Sequence, residues 1–130
     1  MKKTLVIIPT YNEADNIIKI IPEVLKNSSP ENEFNILVVD DNSPDGTAGL
    51  MEDMNNEKVK LLKREKKSGL GTDYVAGVHY AIKNDYDYVV EMDADFSHDP
   101  KYLKGFIDRL NEGYDLVIRS RYINGVSVLN

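Results

Sequence analysis

The chain has 130 residues, with 16 Lys plus Arg against 22 Asp plus Glu, a net charge of −6, two His and no Cys. That length suits one domain, and 42% hydrophobic with 29% charged residues excludes both intrinsic disorder and an integral membrane protein. Without Cys there is no disulfide scaffold or thiolate metal site, and the acidic balance argues against a nucleic-acid partner, whose phosphates call for Lys and Arg.

The first predicted element is a strand over Thr4–Ile8, aliphatic throughout and closed by Pro9, as expected of a strand covered on both faces. Asn12 is placed to cap a helix with apolar positions Ile17, Ile21, Val24 and Leu25, interrupted by Pro22. A second buried strand, Ile36–Val39, runs into the turn formers Asp40, Asp41, Asn42, Ser43, Pro44, Asp45 and Gly46. A short helix follows from Thr47 to about Met54, then a strand at Val59–Leu62 and a basic, glycine-bearing loop from Lys63 to Gly71. Thr72–Lys83 returns to helical spacing through Val75, Val78 and Ile82. Tyr88–Met92 reads as a fourth strand, Pro100–Leu110 as a helix and Leu116–Ile118 as a fifth strand.

Strand and helix thus alternate along the whole chain, which predicts an α/β fold: a Rossmann-like, mainly parallel sheet with helices on both faces. In such sheets ligands gather at the carboxyl ends of the strands. Here those ends carry Pro9 to Glu13, then Asp40 and Asp41, then Asp93 to Asp95, then Arg119 to Arg121.

Asp93 and Asp95 are two apart, so an extended backbone would project both carboxylates to one side. Two such groups suit a hard divalent cation, Mg²⁺ or Mn²⁺, although Asp at a strand end also serves as a turn or cap residue. A phosphate ligand would favour the metal reading. A carboxylate and a phosphate about 4 Å apart repel by about 1 kcal/mol in water and about 4 kcal/mol at an effective dielectric of 20, so an acidic rim needs a cation to hold a diphosphate. Asp40 and Asp41 can accept hydrogen bonds from a nucleoside or can cap the turn they begin.

A dinucleotide-binding fingerprint is absent, since P-T-Y-N-E-A-D-N follows the first strand with no glycine. Gly69 and Gly71 are a weak phosphate signal and read as a tight turn with close approach, while Arg64, Lys66 and Lys67 supply positive charge. Tyr80 and Tyr88 lie in apolar periodic segments and are expected in the core, whereas Tyr11 lies on the rim. A receiver domain has similar length, but its acid cluster after the first strand and Lys after the fifth are missing.

V-I-I-P-T-Y-N-E-A-D-N-I, V-V-D-D-N-S-P-D-G-T, G-L-G-T with Tyr74 and Gly77, V-V-E-M-D-A-D-F-S-H-D-P and S-R-Y occur in this order from residue 5 to residue 122. Together they resemble the family 2 glycosyltransferases of the GT-A fold and, within them, the polyprenyl-phosphate (dolichyl-phosphate) mannosyltransferase branch. The resemblance implies metal-dependent transfer of mannose from GDP-mannose to a polyprenyl phosphate, with inversion at the anomeric carbon.

It also implies residue roles. Pro9, Tyr11 and Glu13 would line the guanosine pocket, with Asp40 and Asp41 in the nucleoside-binding segment and Lys67, Asp93 and Ala94 completing the nucleotide contacts. Asp93 and Asp95 would hold the metal, with Ser97 as a further ligand through water. Arg121 would face a phosphate and, with Asp93 and Asp95, form the catalytic set. An acceptor phosphate is already a nucleophile, so no general base is required.

Two positions depart from the family pattern: Arg119 stands where a Gly is usual, and Asp73 where a small residue is usual. Relatives continue past S-R-Y, which implies a C-terminally truncated domain over 1–130 whose exposed surface would favour a homodimer. Cytoplasmic residence with peripheral membrane contact is expected. Another sugar nucleotide as donor, or a non-catalytic nucleotide-sugar-binding module, is the alternative.

Overall fold

The computed structural model describes residues 2–54, 56–65, 70–94, 117–119 and 126–128. The chain runs β1 (Lys2–Thr10), α1 (Ala14–Leu25), β2 (Asn32–Asp40), α2 (Thr47–Met54), β3 (Val59–Lys63), α3 (Leu70–Lys83), β4 (Tyr88–Glu91), β5 (Val117–Arg119) and β6 (Val126–Val128). The first four strands form a parallel sheet in the order β3-β2-β1-β4.

The central strands are β1 and β2, buried from Thr4 to Thr10 and from Phe34 to Asp40. Their continuous Val, Ile and Leu content follows from having both faces covered. Val6, Ile8, Phe34, Ile36, Val38 and Val90 pack with Ile17, Ile20, Ile21 and Val24 of α1 and Met51 of α2. Leu5, Ile7, Leu37 and Val39 face the other way, toward Ala81 of α3, with Tyr74 and Tyr80 partly buried beside them. Each fully buried aliphatic side chain contributes about 1.5–3 kcal/mol relative to exposure.

The two layers follow from connection handedness. The chain runs from β1 through β2 to β3 with α1 and α2 on one face, and the return past β1 to β4 has α3 on the opposite face, the arrangement that the right-handed rule for parallel crossovers requires. The direction reverses between β1 and β4, which locates the ligand crevice at their carboxyl ends.

Three sequence expectations need correction. Val75, Val78 and Ile82 are exposed, at 57%, 41% and 70%, so α3 forms as expected but packs through a different face. Its buried face carries Asp73, Gly77 and Ala81, with the tyrosines supplying apolar area. A Cβ on Gly77 would lie 2.5 Å from Ile7 Cδ1, so the glycine lets α3 approach the sheet closely.

Asn12 does not cap α1. It adopts φ 56°, a left-handed conformation that Asn tolerates, and Glu13 occupies the N-cap place without a side-chain cap. Among the described residues the fifth strand does not join the parallel sheet. Instead β5 pairs antiparallel with β6, a strand sequence reading missed. The V-S-V alternation of β6 suits an antiparallel partner with one face covered. The expected helix 100–110 lies outside the described residues.

Candidate active site

The carboxyl rim begins with the loop after β1. The Asn12 amide donates to Ser43 Oγ at 2.9 Å and the Ala14 amide to Asp45 Oδ2 at 3.1 Å, so the loop after β2 ties down the start of α1. Asp45 therefore does the capping expected of Asn12. Its carboxylate also accepts from the Thr47 amide and hydroxyl. Desolvation pushes the Asp45 carboxyl up, but these hydrogen bonds outweigh it and hold the group below the ordinary carboxylate value.

Asp40 is fully buried and accepts from Thr10 Oγ1 at 2.7 Å, Ser43 Oγ at 2.6 Å and the Ser43 amide at 3.0 Å. Both carboxylate oxygens are thereby committed. For Asp40 the structure shows the turn-capping role: it fastens β1 to the loop after β2. Asn42 and Gly46 adopt positive φ, 60° and 84°, which folds that loop tightly.

Asp41 differs. It is 4% exposed, and its Oδ1 receives no hydrogen bond. Asp73, in the first turn of α3, is 1% exposed, and its Oδ1 also lacks a hydrogen-bond donor. Arg64 Nη1 stands 3.5 Å from Asp73 Oδ1 while donating to the Thr72 carbonyl at 2.9 Å. Burial, then the hydrogen bond and charge of Asp41, then the charge of Asp40, push the Asp73 carboxyl up to about 7 against the pull of Arg64.

Across the crevice, β4 ends at Glu91, with Asp93 half-buried and Ala94 buried just beyond. Burial, and then the charge of Asp93, push Glu91 up to about 8. Sequence reading passed over Glu91, though an acid inside the apolar run V-V-E-M was a usable signal. The negative field that Asp93 casts on its neighbour is what a bound cation would relieve, and hard carboxylate oxygens suit Mg²⁺ or Mn²⁺. Among the described residues no three His, Cys, Asp or Glu side chains converge as a metal site.

The structure thus puts Pro9, Tyr11, Glu13, Asp40, Asp41, Asp93 and Ala94 on one rim, at the carboxyl ends of β1, β2 and β4. Tyr11 is 39% exposed there, and Glu13 Oε2 accepts from Asn16 Nδ2 at 3.0 Å. Lys67, Asp95, Ser97 and Arg121 lie outside the described residues. Arg119 lies in β5, paired with Val126.

A parallel sheet with helices on both faces and a polar rim at its switch point is the architecture of nucleotide-binding α/β proteins. The chain belongs to glycosyl transferase family 2, whose profile it matches over residues 5–130. It is 43% identical over 132 residues to the polyprenol monophosphomannose synthase of Mycolicibacterium smegmatis, covering 99% of this chain and 49% of that protein. The undecaprenyl-phosphate mannosyltransferase of Micrococcus luteus is 40% identical, with 98% of this chain and 52% of that protein covered. The chain spans about half the length of these curated relatives.

Among solved structures, the mannosyltransferase PcManGT from Pyrobaculum calidifontis, in complex with GDP-Man and Mn²⁺, superposes with a TM-score of 0.62 at 26% identity. That match covers 71% of this chain and 27% of that one. S. aureus TarS 1-349 with UDP-GlcNAc gives 0.67 at 29% identity, covering 86% and 32%. The GT-A-type fold expected from sequence is borne out.

Proposed function

We propose that residues 1–130 form the nucleotide-sugar-binding part of a GT-A domain that transfers mannose from GDP-mannose to a polyprenyl phosphate with inversion. The observation that carries this reading is the identity of 43% and 40%, across essentially the whole chain, to two polyprenyl-phosphate mannose transferases. The neighbour holding GDP-Man and Mn²⁺ supports a purine nucleotide donor and a divalent ion.

In this reading Pro9, Tyr11, Glu13 and Asp41 line the nucleoside pocket, while Asp40 holds its floor together through Thr10 and Ser43. Lys67 and Ala94 flank the diphosphate. Asp93 and Asp95 would hold Mg²⁺ or Mn²⁺, with Ser97 through water; the ion would neutralise the diphosphate as it departs. Arg121 would face the donor or acceptor phosphate; the acceptor's own charge makes it the nucleophile, so the chain's task is alignment rather than proton abstraction.

No described helix is long and apolar enough to cross a membrane. The lipid acceptor is met by peripheral contact at the cytoplasmic face, and a homodimer is part of the same proposal. The test is transfer of radiolabelled mannose from GDP-mannose to a short polyprenyl phosphate. Labelled lipid that is stable to base and labile to mild acid is expected. GDP-mannose binding without labelled lipid would refute transfer by this chain and leave a donor-binding module.

A further inference from the structure

The two residues that follow β3, Arg64 and Glu65, join α3 to the turn after β2. The Arg64 amide donates to the Asp40 carbonyl at 2.7 Å, which prolongs the pairing of β3 with β2. Its side chain reaches the first turn of α3, where Nη1 donates to the Thr72 carbonyl at 2.9 Å and stands 3.5 Å from the buried carboxylate of Asp73. A guanidinium carries its donors in a rigid plane, so two acceptors on one helix turn settle its orientation as they would not settle a lysine's. The next residue completes the link: Asn42 Nδ2 donates to the Glu65 carbonyl at 3.1 Å.

Asn42 follows Asp41 and adopts φ 60°, a left-handed conformation that sets the path of the chain as it leaves β2. Asp41 is 4% exposed, and its Oδ1 receives no hydrogen bond. A buried carboxylate oxygen without a donor is costly until a ligand supplies one, so the direction of this oxygen matters. The bonds of Ser43 and of the Asp41 amide tie the turn to β1, to the loop after it and to Asp40. The Asn42 bond ties it to the end of β3.

We propose that Arg64 is a positioning residue for the nucleoside: clamped to α3 by the Thr72 carbonyl and Asp73, it fixes the Glu65 carbonyl on which Asn42 rests. The free Asp41 oxygen is thereby kept set to accept from an N–H or O–H of the nucleoside. This rests on the reading of Asp41 as part of the nucleoside pocket. Arg64 itself touches no ligand. Loss of its guanidinium releases residues 64 and 65 from α3, the Asn42 bond loosens, and the turn after β2 samples orientations in which Asp41 misses the nucleoside. The acidic end of β4, across β1, is untouched.

The test is calorimetric titration of GDP with Mn²⁺ into the wild type, Arg64→Gln, Asn42→Gly and the double variant. Glycine adopts the left-handed conformation freely, so Asn42→Gly removes the side-chain bond and leaves the backbone path available. Each single variant should bind GDP about three- to tenfold more weakly, and the double variant no more weakly than the weaker single one, since both changes break one path. Arg64→Lys keeps the charge and a single-point donor and should fall between the wild type and Arg64→Gln. In hydrogen exchange of the ligand-free protein, the Ser43 amide, which donates to Asp40, should speed up more in Arg64→Gln and in Asn42→Gly than amides at the centres of β1 and β2.

Additive losses in the double variant would overturn the inference. So would weaker binding by Arg64→Gln with Asn42→Gly at wild-type affinity, the result expected of an arginine that contacts the diphosphate directly. An acceleration no greater at Ser43 than in the strand centres would overturn it as well, by showing a general loss of stability. Wild-type affinity in every variant would overturn the inference and leave the pocket standing, whereas failure of GDP to bind the wild type would overturn the pocket assignment and the inference with it.

Discussion

Replacing Gly77 with alanine would place a methyl group 2.5, 2.8 and 2.9 Å from Cδ1, Cγ1 and Cγ2 of Ile7, a side chain only 1% exposed. Rotating χ1 of Ile7 brings another substituent of the same Cβ into the gap, so α3 or β1 must shift. Overpacking of this kind costs about 1–3 kcal/mol. Alanine recovers about 1 kcal/mol through its better helix propensity. The net loss should be about 1 kcal/mol, read from the midpoint of urea unfolding at constant m-value. Ile7→Ala alone should lose about 2–5 kcal/mol through its cavity. In the double variant the methyl introduced by Gly77→Ala fills part of that cavity, so the combined loss should fall short of the sum by at least about 1 kcal/mol. Strict additivity, or a more stable Gly77→Ala, would refute close packing of α3 on β1 through this glycine.

Asp40→Ala strands one buried and two half-buried donors, and at about 1.5–3 kcal/mol per charge-assisted hydrogen bond it should lose at least about 3 kcal/mol in urea unfolding; a loss under about 1 kcal/mol would count against the Thr10–Asp40–Ser43 network. Asp45→Ala removes the cap on α1 and should lose about 1 kcal/mol at neutral pH. Because the folded carboxyl titrates below its ordinary 3.8, that contribution is present above this value and is lost on acidification, so variant and wild type should converge in thermal melts at low pH. Asp73 has the opposite sign. Its folded value of about 7 exceeds the ordinary 3.8, so its stabilisation is complete below about 3.8 and is lost as pH rises toward about 7. Asp73→Asn should remove that slope from the ligand-free melting profile, and an unchanged slope would exclude the group.

The strands were legible because burial on both faces demands runs such as L-V-I-I and I-L-V-V, and periodicity with Gly and Asp turns marked α1 and α2. The rim was legible for the same reason: once the strands are known, their carboxyl ends are known. What escaped were contacts between residues far apart in the chain. Asp45 caps α1 from 31 residues away, and Thr10 donates to Asp40 from 30 residues away. The packed face of α3 was misjudged because small residues, Gly77 and Ala81, give closer approach than the Val75, Val78, Ile82 stripe. Hydropathy ranks that stripe higher, and only the tertiary fit decides against it.

The central claim is that a divalent ion held at the end of β4 fastens a sugar donor's diphosphate to the acidic rim. Calorimetry of GDP with the wild type and Asp93→Ala, each with Mn²⁺ and with EDTA, tests it most directly. The account predicts Mn²⁺-dependent binding by the wild type and at least about tenfold weaker binding by Asp93→Ala, one charge-assisted contact being worth about 1.5–3 kcal/mol. Equal affinity in EDTA, or no change on removing the Asp93 carboxylate, would contradict it.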